Sequence, residues 1–234
     1  MSAINLHGPG LYDRVLFRLR HGSLRAFLRT VWFQFCGAKI GKQTYLAKTI
    51  ITWPHQVQIG SRCCLEPDIY FKFDRGVWGP GPSIIIGDDV FIGRACEFNI
   101  TKGIRIGHNC AIASGCRFID HDHGLQGELI RKSPGVEAEI RIRNNVWLGC
   151  NVIVLKGVTI GDDAVVGAGA VVTKNIPAGE IWAGVPARKV SSRPERAANQ
   201  ENLALEDHDH QRHHPHSSTK RAHVQRNNLS DLGK

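Results

Sequence analysis

The sequence predicts an all-β fold, a solenoid of short parallel strands called a parallel β-helix, preceded by an amphipathic helix and followed by a polar tail. The main observation is a six-residue period between residues 140 and 174. One column of this repeat is Ile142, Leu148, Val154, Ile160, Val166 and Val172, and the column two places earlier is Ile140, Val146, Val152, Val158, Ala164 and Ala170. A period of six fits neither an α-helix nor one long strand, and it is typical of short strands joined by tight turns.

The same unit extends upstream, so the predicted β-helix covers residues 37–190. Its earlier copies are the pairs Ile40-Gly41, Ile59-Gly60, Ile86-Gly87, Ile92-Gly93 and Ile106-Gly107. Gly, Asn and Asp follow the marker residues, as tight turns favour. Two segments break the period, the loop 119–139 and a Gly- and Pro-rich stretch at 71–83 that contains Trp78. Loops that leave a solenoid often carry function, so we expect the first to reach the functional site, whereas the second is either a pocket wall or a passive surface loop.

The first domain, residues 1–36, is predicted to be helical. Apolar residues recur at spacings of three and four across 11–36, and arginines occupy much of the remaining surface. Two interpretations stay open. The helix either covers the first coil of the solenoid, which needs a cap, or lies on an anionic membrane surface.

The last domain, residues 191–234, is predicted to be a disordered tail. It contains no aromatic residue and is rich in Asn, Gln, Ser, Arg and His. Histidine-rich tracts can bind divalent metals, but a solvated tail is the default expectation.

Composition places the protein among cytosolic globular proteins. The chain has 234 residues, 42% of them hydrophobic, and a net charge of +9. Eight Lys/Arg and one acid fall in residues 1–60, so the positive charge is local and does not indicate nucleic-acid binding. No apolar run is long enough to cross a bilayer. The seven cysteines form no CxxC pair and are expected to be reduced.

Three stretches resemble the hexapeptide-repeat acyltransferases, most closely the maltose and galactoside O-acetyltransferases: NNVWLG (144–149), GAGAVVTKNIP (167–177) and AGVPARKV (183–190). The resemblance implies a left-handed β-helix of triangular coils, a homotrimer with sites shared between subunits, and acetyl-coenzyme A as co-substrate with no metal required. It also implies cofactor contacts by position. The matching residues are Trp147, Cys150, Ala168, Thr173, Lys174 and Arg188. Small residues admit an extended ligand to the backbone, and the cations can pair with phosphates.

A histidine is the expected general base, because a neutral hydroxyl attacks a thioester poorly without one. Loop 119–139 contains two, in Asp120-His121-Asp122-His123. In compact members of the resembled family the catalytic histidine lies 24 positions before the NNVW tryptophan, which selects His123 here. His121 remains the alternative, since a loop can redistribute two residues. A backbone N–H in the adjacent coil would then stabilise the oxyanion.

The resemblance also suggests the acceptor. Glu97 and Asn99 match positions where the family places polar residues facing a saccharide. The run from the N-terminal helix into Gly37 resembles the exopolysaccharide acetyltransferases of the colanic-acid type, which implies an envelope polysaccharide or a lipid-linked precursor, with the protein cytoplasmic or peripheral at the inner face of the membrane. Two other functions stay open. One is a carbonic-anhydrase-like metalloenzyme using His108, His121 and His123; the other is a non-catalytic assembly partner.

Overall fold

The computed structural model describes residues 24–74, 79–124, 129, 133 and 135–194. Residues 1–23 and the predicted tail beyond Pro194 lie outside this part of the chain, as does Trp78. The predicted N-terminal helix is therefore seen only as helix α1, Leu24–Phe35. The helix ends at Phe35, and Gly37 follows with a φ of +98°, the left-handed conformation that glycine adopts most readily after a helix.

The described residues form three sheets that become the three faces of a coil, and the chain visits them in turn. Face A contains β1 (Lys39–Ile40), β4 (Val57–Ile59), β7 (Ile84–Ile86), β10 (Ile104–Ile106), β13 (Ile140–Ile142) and β16 (Thr159–Ile160). Face B contains β2 (Tyr45–Leu46), β5 (Cys64–Leu65), β8 (Phe91–Ile92), β11 (Ala111–Ile112), β14 (Trp147–Leu148), β17 (Val165–Val166), β19 (Glu180–Ala183) and β20 (Arg188–Ser192). Face C contains β3 (Thr49–Ile51), β6 (Ile69–Phe73), β9 (Glu97–Ile100), β12 (Arg117–Ile119), β15 (Ile153–Leu155) and β18 (Val171–Val172). A short 3₁₀ helix, Pro54–Gln56, precedes β4.

Neighbouring strands within each face pair in parallel, apart from β19 and β20, which are antiparallel. This is the left-handed parallel β-helix that the hexapeptide period and the resemblance predicted. The last strand continues to Ser192, two residues past the predicted end of the domain.

The core is the inside of the coil. All twelve residues of the two predicted columns are at most 2% exposed, which confirms the period as an inward-facing pattern. On face C the rings of Phe71, Phe98 and Phe118 stack on successive coils, with both centroid distances at 4.7 Å. Aromatic stacking of this kind adds to the burial of the rings and fixes the register between coils.

The corner between faces A and B explains the Asp and Asn pairs that follow the marker residues. The side chains of Asp88, His108, Asn144 and Asp162 each accept a hydrogen bond from a backbone N–H of the coil before. The residue after each one has a positive φ, as at Asn109. These polar side chains therefore satisfy the backbone of the corner.

Candidate active site

Both breaks in the repeat leave the solenoid from the same corner, where face C passes to face A. The first departs after β6 and returns at β7, and the second departs after β12 and returns at β13. Thr101, Lys156 and Thr173 occupy this C/A corner in other coils. Both loops that interrupt the repeat therefore project from the C/A corner.

Asp120 is the one fully buried carboxylate of the described residues, at 0% exposure. The period explains its burial, because Phe118 points inward, Ile119 outward and Asp120 inward again. Its two oxygens accept hydrogen bonds from the backbone N–H groups of Thr101 (2.8 Å), Lys102 (2.6 Å) and Gly103 (2.7 Å) in the preceding coil. A buried charge requires such partners. Asp120 therefore fixes the turn that crosses the corner beneath the loop.

His121 is held by the same carboxylate. Its Nδ1 lies 3.0 Å from Asp120 Oδ1 and 3.0 Å from Thr101 Oγ1, and its side chain is 19% exposed. An ionised carboxylate can only accept a hydrogen bond, so the network assigns the proton to Nδ1. Nε2 then carries the lone pair, which is the form required of a general base.

His123 lies two residues further on and is exposed. Within the described part of the chain its side chain has no hydrogen bond or ion pair. The spacing count that selects His123 and the geometry that orients His121 thus favour different histidines. Sequence reasoning overlooked the partners Asp120 and Thr101, although an acidic residue at an inward position of the repeat was the available signal.

Asp122 holds the two ends of loop 119–139 together, and we call this closure, between residues 122 and 136, the neck of the loop. Lys156, one coil further along, forms an ion pair with its carboxylate, and the Val136 N–H donates to Asp122 Oδ1 at 2.9 Å. The Lys156 ammonium and this N–H both lower the pKa of Asp122. At Gly135 a Cβ would lie 1.7 Å from the Asp122 carbonyl oxygen, so only glycine fits the closed neck.

Face C carries the predicted acceptor residues. Glu97 and Asn99 point outward from β9, next to the histidine corner. Glu97 lies 3.5 Å from the Arg117 guanidinium, and the Lys72 ammonium donates to Asn99 Oδ1 at 3.3 Å. The face is therefore a polar surface with paired charges beside His121.

The predicted cofactor residues fall into two groups. Thr173 and Lys174 are exposed at the C/A corner, two coils past the histidine. The others lie on face B and at the corner between faces B and C: Trp147, Cys150, Ala168 and Arg188. Within one chain, face C separates the two groups.

The B/C corner has the shape that an extended ligand needs. The Cβ of an alanine at position 149 would lie 2.6 Å from the Ala168 backbone nitrogen, so the coils touch there. At Gly169 an added Cβ would meet nothing within 4 Å, and Cys150 and Ala168 are exposed. The surface above these small residues is open, and the exposed Arg188 lies on β20, the last strand of the same sheet.

The histidines of the metalloenzyme hypothesis do not meet within one chain. His108 belongs to the A/B corner, where its Nδ1 accepts the Asp88 N–H, and His121 belongs to the C/A corner. No group of three His, Cys, Asp or Glu ligands occurs among the described residues.

Comparison with known proteins agrees with the fold. Residues 139–174 match the model of the bacterial transferase hexapeptide (six repeats), and residues 83–116 match the hexapeptide repeat of succinyl-transferase. A putative colanic acid biosynthesis acetyltransferase of Escherichia coli (strain K12) is 31% identical over 183 residues, which cover 78% of this chain and 79% of that protein. The chain belongs to the hexapeptide-repeat acyltransferases.

Other members of the family match over a shorter part. The galactoside O-acetyltransferase of Escherichia coli (strain K12) is 35% identical over 136 residues, 56% of this chain and 62% of that enzyme. The alignments with this relative and with a galactoside O-acetyltransferase of Lactococcus lactis span about three fifths of each relative's length.

Solved structures show the same fold. An N-acyltransferase from Bacillus cereus, in complex with dTDP and coenzyme A, has a TM-score of 0.63 at 19% identity and covers 79% of this chain and 97% of its own. A maltose O-acetyltransferase from Clostridium difficile 630 has a TM-score of 0.51 at 25% identity and covers 79% and 86%. The family fold thus spans the described solenoid.

Proposed function

We propose that this protein is an acetyl-coenzyme A-dependent O-acetyltransferase that acts on a saccharide hydroxyl. The observation that carries the proposal is a histidine oriented by a buried carboxylate at the loop-bearing corner of a β-helix that belongs to the hexapeptide-repeat acyltransferases. The relatives named for galactoside and colanic acid acetylation support a saccharide acceptor, and an exopolysaccharide, a lipopolysaccharide or a lipid-linked precursor is the acceptor we propose.

In the proposed reaction, His121 Nε2 accepts the proton of the acceptor hydroxyl as that oxygen becomes the nucleophile. Asp120 holds the ring through Nδ1 and stabilises the imidazolium that forms. Acetyl-coenzyme A, when bound, would supply the acyl group as a thioester. The ester C–O bond would form as the thioester C–S bond breaks, and coenzyme A would leave as a thiol with the proton that His121 had accepted. Glu97 and Asn99 orient the saccharide from face C, where they point outward beside the histidine corner.

The residues on face B and at the B/C corner fit coenzyme A. Cys150 and Ala168 leave the backbone open to a narrow pantetheine arm, Trp147 offers an exposed ring, and Arg188 offers a cation for phosphate. Lys174, together with Thr173, offers a second cation at the other corner. No metal has a role in this proposal.

We test the choice of base with two matched variants. His121→Ala should lower kcat by about 10²–10⁴, the usual worth of general-base catalysis, while leaving coenzyme A affinity unchanged. His123→Ala, the exposed neighbour, should change kcat little. The measurement is acetyl transfer to an oligosaccharide, with coenzyme A binding measured separately by calorimetry. The reverse result would show that the spacing count was right and that His123 is the base.

We also infer a homotrimer in which each site is shared. The two groups of cofactor residues lie on opposite sides of face C within one chain, and in a trimer the B/C corner of one copy can face the C/A corner of another, so that one ligand contacts both groups. Mixing inactive His121→Ala and Arg188→Ala subunits should restore activity, because mixed trimers contain intact sites. Light scattering should give three chains. Active monomers, or mixtures that stay inactive, would refute the shared site.

We propose a cytoplasmic position, peripheral at the inner face of the membrane, because two relatives are named for lipopolysaccharide and colanic acid biosynthesis. No helix in the described part of the chain has the length and apolar character to span a bilayer. Mass spectrometry of envelope polysaccharide from cells with and without the protein would identify the acceptor. An unchanged acetylation pattern would count against this acceptor class.

A further inference from the structure

Helix α1 has two faces, and one of them caps the solenoid. Ala26 is buried, and Phe33 packs against the core of the first coil. The Arg29 guanidinium donates to the Leu46 carbonyl at 3.0 Å, and the Gln34 amide donates to the Ile40 carbonyl at 3.0 Å. These contacts hold the helix against the first coil, at β1 and β2.

The other face of α1 is apolar and exposed. Six side chains at helical spacing form it, and we call them the apolar face: Leu24 (70% exposed), Phe27 (64%), Leu28 (54%), Val31 (44%), Trp32 (61%) and Phe35 (84%). The rings of Trp32 and Phe35 lie 6.2 Å apart. Contiguous exposed apolar patches of this kind mark interaction surfaces, since scattered apolar residues are the norm elsewhere.

Charge decides between the partners that this face could take. The sequence has no acidic residue between Asp13 and Glu66, whereas Arg25 on the helix and Lys39 and Lys42 on the first coil are exposed cations. A second copy of the same face would bring like charges together, which is unfavourable. An anionic lipid surface complements both the charge and the apolar, aromatic side chains.

We propose that the apolar face of α1 docks this protein on the surface of a bilayer that contains anionic lipids. The helix lies in the membrane interface, with Phe27, Trp32 and Phe35 at the boundary between the headgroups and the acyl chains. The cations of the helix and the first coil contact the lipid headgroups. This capping helix is thus also a membrane contact, because capping uses only its inner face. The inference rests on α1 and its charges and does not depend on the catalytic proposal.

Docking through α1 also determines how far the candidate active site lies from the membrane surface. The His121 coil lies three strand steps along the axis from the first coil, through β3, β6, β9 and β12. At about 4.8 Å per step this is about 14 Å. A saccharide carried on a membrane lipid can span that distance.

The experiment is sedimentation of the full-length protein with vesicles. Vesicles of phosphatidylcholine with about a third phosphatidylglycerol should bind the wild-type chain, and phosphatidylcholine alone should bind it at least about tenfold more weakly, as the electrostatic contribution requires. The double variant Trp32→Ser/Phe35→Ser should bind the anionic vesicles at least about tenfold more weakly, because it loses buried apolar area. Its thermal unfolding should match that of the wild type, since both side chains are exposed.

A matched control replaces exposed apolar residues elsewhere. Val185→Ser/Val190→Ser, at positions that are 72% and 62% exposed, should bind vesicles like the wild type. Failure of the wild-type chain to bind anionic vesicles would overturn the proposal. Equal binding by the Trp32 and Phe35 variant would also overturn it. If that variant instead lost self-association in light scattering while the wild type ignored vesicles, the face would belong to a second copy.

Discussion

Replacing Asp120 by asparagine tests the buried carboxylate and the histidine together. Asp120 Oδ1 takes the Thr101 N–H and the His121 ring, and Oδ2 takes the N–H groups of Lys102 and Gly103. An asparagine has one acceptor oxygen. The orientation that preserves more hydrogen bonds leaves this oxygen accepting from the N–H groups of Lys102 and Gly103. The amide nitrogen then faces the Thr101 N–H and the His121 ring.

Two consequences follow from that orientation. One buried N–H loses its acceptor, which costs about 1–3 kcal/mol of unfolding free energy. The new amide N–H donates to His121 Nδ1, so the ring proton moves to Nε2 and the base is blocked. We therefore expect Asp120→Asn to be folded, less stable by about 1–3 kcal/mol, and lower in kcat by about 10²–10⁴.

Asp122→Asn is the matched control, two residues away at a side chain that is 45% exposed. Exposed ion pairs contribute at most about 1 kcal/mol, so its stability should stay within that range and its kcat should be close to wild type. Urea unfolding and acetyl transfer to an oligosaccharide measure the two effects. A fully active Asp120→Asn protein within about 0.5 kcal/mol of the wild type would refute the reasoning.

Three further predictions concern the core, the loop neck and the cofactor corner. Phe98→Ala should lower the unfolding free energy by about 3–5 kcal/mol, because it leaves a cavity between two stacked rings, whereas Phe91→Ala, at a 40% exposed position, should cost less in the same urea titration. Lys156 lowers the pKa of Asp122, so the closed neck is stabilised above the ordinary carboxyl pKa of about 3.9 and loosens as pH falls through the lowered value. The protection of the neck amides against hydrogen exchange, taken relative to the intrinsic exchange rate at each pH, should therefore fall on acidification in the wild type and stay constant in Asp122→Asn. Iodoacetamide should modify the exposed Cys150 first, and acetyl-coenzyme A should slow that reaction; modification unaffected by acetyl-coenzyme A would remove the B/C corner from the proposed site.

The general architecture could be predicted from the sequence because a solenoid depends on local repetition. Each hexad places one marker residue inward, and the same rule gave the burial of residues such as Ile160 and Val166 without any knowledge of distant contacts. The positions of the loops followed as well, since they are where the period fails.

The tertiary structure decided what a linear pattern cannot encode. Spacing alone could not show that both breaks leave from one corner, or that Asp120 reaches across it to the backbone of residues 101–103, because those contacts join coils about 20 residues apart. It also could not choose between capping and membrane contact for α1. The structure shows that capping uses only one side of that helix, which is a consequence of packing a helix with apolar residues on two sides against a single surface.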